Sequence, residues 1–119
     1  MSSLSTEFAF TLPKGYVDDH GTLHRTGVMR LARARDEIEP LRDPRVRENE
    51  SYASVIVLAR VVTELGTLAT ISTKTIEGLF ASDFNYLQDL YRVVNFGDPA
   101  VLDGMAPGSP FPRESLEMA

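Results

Sequence analysis

Residues 6–31, TEFAFTLPKGYVDDHGTLHRTGVMRL, decide the fold. From Thr6 to Leu12 the chain alternates, with Phe8, Phe10 and Leu12 on one face, as a half-buried strand requires. Pro13 and Gly15 predict a break there, since proline cannot donate to a ladder and glycine weakens one. Tyr16 and Val17 lead into Asp18-Asp19-His20-Gly21, where Asx side chains and a left-handed glycine suit a tight turn. Thr22 to Leu31 returns as a second extended stretch, with Gly27 a weak or bulged point in its interior. The expectation is an N-terminal β-hairpin.

The chain beyond the hairpin reads as helical. Leu31, Ala34, Ile38 and Leu41 recur at helical spacing and predict a short helix over roughly 32–39, limited by Pro40. Strand, helix or both stay open for 28–41. Asp43-Pro44 is a good N-cap followed by a good first helical residue, so another turn starts there. Residues 52–65 form the strongest element, in which Ser51, Ser54, Arg60 and Glu64 draw a narrow polar stripe on an otherwise aliphatic surface. Their β-branched content also suits a buried strand, but fourteen periodic residues exceed the usual strand length. This stretch is therefore expected to be the central helix of the core, closed by Gly66.

Ser72 or Thr73 caps a short helix with Ile76, Leu79 and Phe80 on one face. Ser82 and Asp83 open the next helix, with the acid placed where the helix dipole favours it. Gly97 and Pro99 stop it. The outline is a small α+β domain, with a hairpin followed by about three main helices. Residues 1–6 are expected to be a disordered lead, 7–97 a single domain, and 98–119 a flexible tail rich in Pro and Gly.

The 119 residues hold no Cys and no Trp and carry a formal net charge of -5. The absence of cysteine excludes disulfides, thiolate metal sites and a cysteine nucleophile together. An acidic balance disfavours nucleic acid as partner. The longest nearly apolar run, residues 53–62, is too short to span a bilayer, and the N-terminus lacks a basic-then-apolar leader, so a cytoplasmic soluble protein is expected. Seven of the twelve basic residues lie between Arg25 and Arg47, interleaved with acids, so that 25–48 carries +2 and the remainder -7.

No constellation of residues suggests catalysis. His20 and His24 lie four apart, which in a strand separates them by about 13 Å, too far to share one ion. They read as a turn residue and a surface histidine. Asp36, Glu37 and Glu39 neighbour arginines on a segment expected to be exposed, without the desolvated cleft that general acid–base work needs. No serine has a nearby histidine, and Gly15, Gly21 and Gly27 make no phosphate loop. No enzyme activity, cofactor or metal is expected. Two surfaces suit a protein partner. Arg25, Arg30, Arg33 and Arg35 form a basic ridge for an acidic segment, against the plainer reading of a solvated face neutralised by nearby acids. The helix from Asp83 carries two apolar stripes, one through Phe84, Leu87, Tyr91 and Val94 and one through Tyr86, Leu90 and Val93. That is more than one neighbouring helix covers. Tyr86, Leu90, Tyr91, Phe96, Arg30 and Arg33 are the candidate contact residues.

The run from Phe10 through Leu12-Pro13-Lys14-Gly15-Tyr16 and Asp19-His20-Gly21-Thr22 to Arg25, then Asp36-Glu37-Ile38, then Asp83 through Tyr86-Leu87 and Tyr91-Arg92 to Phe96-Gly97, resembles small phage tail assembly proteins. These include the tail assembly chaperones of contractile phage tails and phage-tail-like injection systems. The resemblance covers about residues 7–97 and departs from the plain Asp-Gly-Thr turn by the insertion of His20. It implies a non-enzymatic chaperone that binds the tape-measure protein, or another tail or baseplate protein, before the tube polymerises; the surplus apolar face of the helix from Asp83 also suits self-association. Two other readings stand beside it: a small tail or baseplate component that stays in the particle, and an unrelated regulatory domain. A DNA-binding form of the latter is disfavoured because Lys74 and Arg92 are outnumbered by Glu77, Asp83 and Asp89.

Overall fold

A computed structural model describes residues 4–97, so the expectations for 1–3 and for the 98–119 tail lie outside the described residues. Strands β1 (Glu7–Val17) and β2 (Leu23–Arg30) form the expected antiparallel hairpin. Phe8 stands opposite Met29 and Phe10 opposite Gly27, which places the buried Phe10, Leu12 and Met29 on the covered face of the sheet. At the turn, the Asp18 carboxylate accepts the amides of His20 at 2.8 Å and Thr22 at 2.9 Å. Gly21 has a φ of 83°, the left-handed conformation expected of it.

Pro13 and Gly15 interrupt the ladder but not the strand. The register shifts between Thr11 and Tyr16, so residues 12–15 arch out of the pairing as a wide bulge within one long β1. Gly27 likewise marks a close approach. A Cβ there would stand 2.5 Å from the Phe10 ring, which lies across the middle of the sheet.

The helix expected over 52–65 is shorter. It runs as α3 (Tyr52–Val61) and turns directly into a third strand, β3 (Val62–Leu65), antiparallel to β2. The strand order β1-β2-β3 puts β2 in the centre. Val61, Val62 and Thr63 are stiff β-branched residues with mediocre helix propensity. The open edge of β2 offers their backbone a ladder, and pairing outweighs the local periodicity. Nor is α3 buried on all sides: only Leu58 and Val61 are fully inside, and residues 53–57 are partly buried.

Between β2 and α3 lie α1 (Ala34–Ile38), a 3-10 turn (Glu39–Arg42) and α2 (Pro44–Glu48). The Asp43 carboxylate caps α2 by accepting the Arg45 amide at 2.8 Å, as expected. The face of α1 is the reverse of the one predicted. Ile38 and Leu41 are 54% and 59% exposed, while Asp36 and Pro40 are buried. The apolar spacing was correct for a helix but not for its inward side, which is set by ion pairs to Asp36.

The last elements are α4 (Thr73–Glu77) and α5 (Ala81–Phe96). The Ser72 amide donates to Thr75 Oγ1 at the start of α4. Ile76 and Leu79 point into the core, but Phe80 does not share their face and is half-exposed at the N-cap of α5. Helix α5 thus begins one residue before the expected cap Ser82, with Asp83 in its first turn. It lies against β1 and buries Asp83, Leu87, Leu90 and Val94 along one stripe. Gly97 ends it in an extended rather than a left-handed conformation. The core gathers Phe10, Leu12 and Met29 from the hairpin, Leu58, Val61, Val62 and Leu65 from α3–β3, and Ile76, Leu79, Leu87, Leu90 and Val94 from the C-terminal helices.

Candidate partner-binding surface

Three polar fixtures hold the framework. The first is the β1 bulge. The amides of Lys14 and Gly15, freed from the ladder, donate to the two oxygens of Asp83 at 3.0 and 2.7 Å. The carbonyls of Leu12 and Pro13 accept from Arg25 at 3.1 and 3.3 Å. A bulge in a covered strand leaves polar backbone that must be matched, and here both signs are matched by side chains. Arg25 therefore serves the bulge rather than a ridge.

The second is His24, which is buried and not the surface residue expected. Its Nε2 faces the Asp18 carboxylate at 2.8 Å, and the Thr67 amide donates to Nδ1 at 3.2 Å. Because Nδ1 accepts, the proton of the neutral ring sits on Nε2 and is donated to Asp18. The backbone at Gly66, φ 56°, passes so close that a Cβ would stand 2.1 Å from Nδ1. Among the described residues no group of three or more His, Asp or Glu is placed to hold a metal ion.

The third is Asp36. Its carboxylate takes Arg30 through two nitrogens at 2.8 and 3.1 Å, Arg60 at 2.9 Å and the Arg33 amide at 2.7 Å. The guanidinium of Arg30, above all, drives its pKa well below the usual carboxylate range. A second nitrogen of Arg60 holds Glu39 at 2.6 Å. Sequence reasoning missed this hub. The signal was present in Arg60, a lone cation in an aliphatic run, which requires an acid nearby.

On this frame α3 and α5 leave a cleft of about 310 Å³ between them. Ala53, Val57 and Leu58 of α3 and Tyr91 of α5 line it, with Ser54, Gln88, Arg92 and Glu37 completing the wall. Its surface is aliphatic with a polar rim. The Tyr91 hydroxyl donates to Glu37, tying α5 to α1 at one end. Burial and that carboxylate both raise the Tyr91 pKa, so the phenol stays protonated.

The candidate contact residues are dispersed across this region. Tyr91 lines the cleft. Phe96 is 69% exposed beside it, edge-on to the Tyr91 ring at 6.2 Å. Tyr86 is half-buried against the sheet, edge-on to Phe10 at 6.5 Å, and burial pushes its pKa up to about 12. Leu90 lies wholly inside the core, so it supports the surface from below. Arg30 is held by Asp36, whereas the Arg33 side chain stands exposed. The structure thus brings Tyr91 and Phe96 together, sets Arg30 and Arg33 along an adjoining edge, and draws Tyr86 and Leu90 inward. Sequence reasoning did not assign Ala53 and Val57 to a surface, because a helix expected to be core was expected to be covered.

Among the described residues no helix is long and apolar enough to cross a membrane. Comparison with protein-family models, with curated proteins and with solved structures finds no match.

Proposed function

We propose that this chain is a non-enzymatic tail assembly protein that shelters an amphipathic helical segment of a tail component, the tape-measure protein foremost, in the cleft between α3 and α5. The observation that supports it most directly is that cleft: a partly exposed aliphatic lining of Ala53 and Val57 above the buried Leu58, with Tyr91 at its edge and a polar rim. Such a groove suits one apolar helix face, with anchors spaced three and four apart. The sequence resemblance over residues 7–97 supplies the tail context and the cytoplasmic setting. The polar fixtures each have a structural use, and this agrees with a binding role rather than a catalytic one.

The test is co-expression with the tape-measure protein and pull-down. Val57→Asp is expected to lower recovery of the client at least tenfold while leaving the far-ultraviolet circular dichroism unchanged, because Val57 lines the cleft and lies outside the core cluster. Undiminished capture by Val57→Asp rejects the cleft as the site. The alternative of a resident tail or baseplate component is separated by mass spectrometry of purified assembled particles. A chaperone is absent from them or present in trace amounts, whereas a structural part appears in fixed copy number.

A further inference from the structure

His24 is a titratable side chain enclosed in the fold at 3% exposure, and two separate parts of the chain engage its ring nitrogens. On one side Nε2 donates to the Asp18 carboxylate of the hairpin turn at 2.8 Å; on the other Nδ1 accepts the Thr67 amide at 3.2 Å. The Tyr16 ring of β1 stacks on the imidazole with centroids 6.3 Å apart. Arg25, the next residue of β2, lies with Leu23 over Gly15 on the opposite face, where it serves the bulge. Among the described residues Asp18 is the one charged group within ion-pair distance of the ring. Residues 66–72, GTLATIS, bring no charged side chain to it.

That segment connects β3 to α4 without regular structure. The Gly66 amide still donates to the Thr26 carbonyl at 2.7 Å, where the pairing of β2 with β3 ends. Beyond it, among the described residues, the bond from Thr67 to His24 is the one hydrogen bond tying the segment to the hairpin. Leu68 and Ile71 pack against the core behind that tie. The tie exists only while Nδ1 has a free lone pair, and imidazole is the side chain that takes up a proton between about pH 8 and 5. Because Nε2 already carries a proton, the incoming one goes to Nδ1 and turns the acceptor into a donor. Two donors then face each other around a ring closed to water, an arrangement that buried polar groups do not keep. On the other side the same proton is welcome. The hydrogen bonds from His24 and from the turn amides hold the Asp18 pKa at about 2, so its carboxylate is ionised throughout this range and gains an imidazolium partner.

We infer that His24 is a proton-operated latch on segment 66–72. Neutral, it holds the segment against the hairpin through Thr67; protonated, it keeps Asp18 and lets Thr67 go, so the segment parts from the hairpin and uncovers Leu68 and Ile71. The latch is separate from the α3–α5 cleft, none of whose lining residues lies in 66–72.

The test is a nuclear magnetic resonance titration of the full-length protein, labelled with nitrogen-15, from about pH 7.5 to about pH 5. The ring nitrogens report tautomer and protonation, and amide exchange is read as a protection factor, corrected for the intrinsic effect of pH. The expected result is an Nε2–H tautomer at the start and a Thr67 protection factor that falls at least tenfold in step with His24 protonation. Lys14 and Gly15, held by Asp83, are expected to keep theirs. His20 is exposed at the turn, so His20→Gln is expected to leave the Thr67 transition in place. An Nδ1–H tautomer at the start, a ring still neutral at the end, or Thr67 protection that stays level while the ring titrates overturns the inference. So does an equal loss at Thr67, Lys14 and Gly15, which would assign the effect of acid to the whole fold.

Discussion

Asp83 joins the first strand to the last helix with one side chain. It is fully buried, it accepts two backbone amides, and it sits in the first turn of α5 where a negative charge is favoured. Asp83→Ala leaves both amides without their acceptor and is expected to destabilise the fold by about 3 kcal/mol, read from the urea midpoint. Asp83→Asn, which keeps one acceptor oxygen, is expected to lose less. Asp18 plays a lighter part at the turn. Its hydrogen bond to His24, then those from the Thr22 and His20 amides, lower its pKa from 3.8 to about 2. A depressed carboxylate stabilises the native state fully above its unfolded value and loses that contribution as pH falls through the folded one. Wild type and Asp18→Asn are therefore expected to differ in urea midpoint at pH 7 and to converge as pH falls from about 4 to 2.

At the level of elements, the contest between local pattern and pairing explains what could be read in advance. The hairpin was legible because alternation at Phe8, Phe10 and Leu12 and the turn residues Asp18 to Gly21 act through nearest neighbours. The cap at Asp43 and the end of α5 at Phe96 were legible for the same reason. Strand β3 was not, since Val62 to Leu65 continue the aliphatic run of α3 and become a strand only because β2 has an open edge 35 residues upstream. The inward face of α1 was hidden too, because Asp36 is turned by Arg30 and Arg60 from other elements, and apolar spacing carries no record of that. The α3–α5 cleft follows from this. Ending α3 at Val61 leaves a short helix, too little to be wrapped by its neighbours. Asp36→Ala strands two partly buried guanidiniums at the junction of β2, α1 and α3, and is expected to cost about 3 kcal/mol by thermal or urea denaturation. The Arg33→Gln change, at an exposed side chain, is expected to stay within about 0.5 kcal/mol of wild type.

Across the whole molecule, the sheet joins the N-terminal hairpin, which begins at Glu7, to β3 from the middle of the chain at Val62, and the C-terminal α5 closes over β1. A chain stopped after Leu79 lacks α5 and with it Asp83. It is expected to show no hydrogen-exchange protection at Lys14 and Gly15, while the full-length protein protects both. The bulge clamp also imposes a schedule on biosynthesis. Lys14 and Asp83 are 69 positions apart, and at roughly 5–20 residues per second a ribosome needs several seconds to travel from one to the other. The same interval separates the emergence of the two residues from the tunnel, and during it the Phe10 and Leu12 strand is outside with its arch unmatched and its apolar side uncovered. A nascent-chain holdase has its natural window there, and synonymous codons that slow translation between residues 31 and 83 lengthen it.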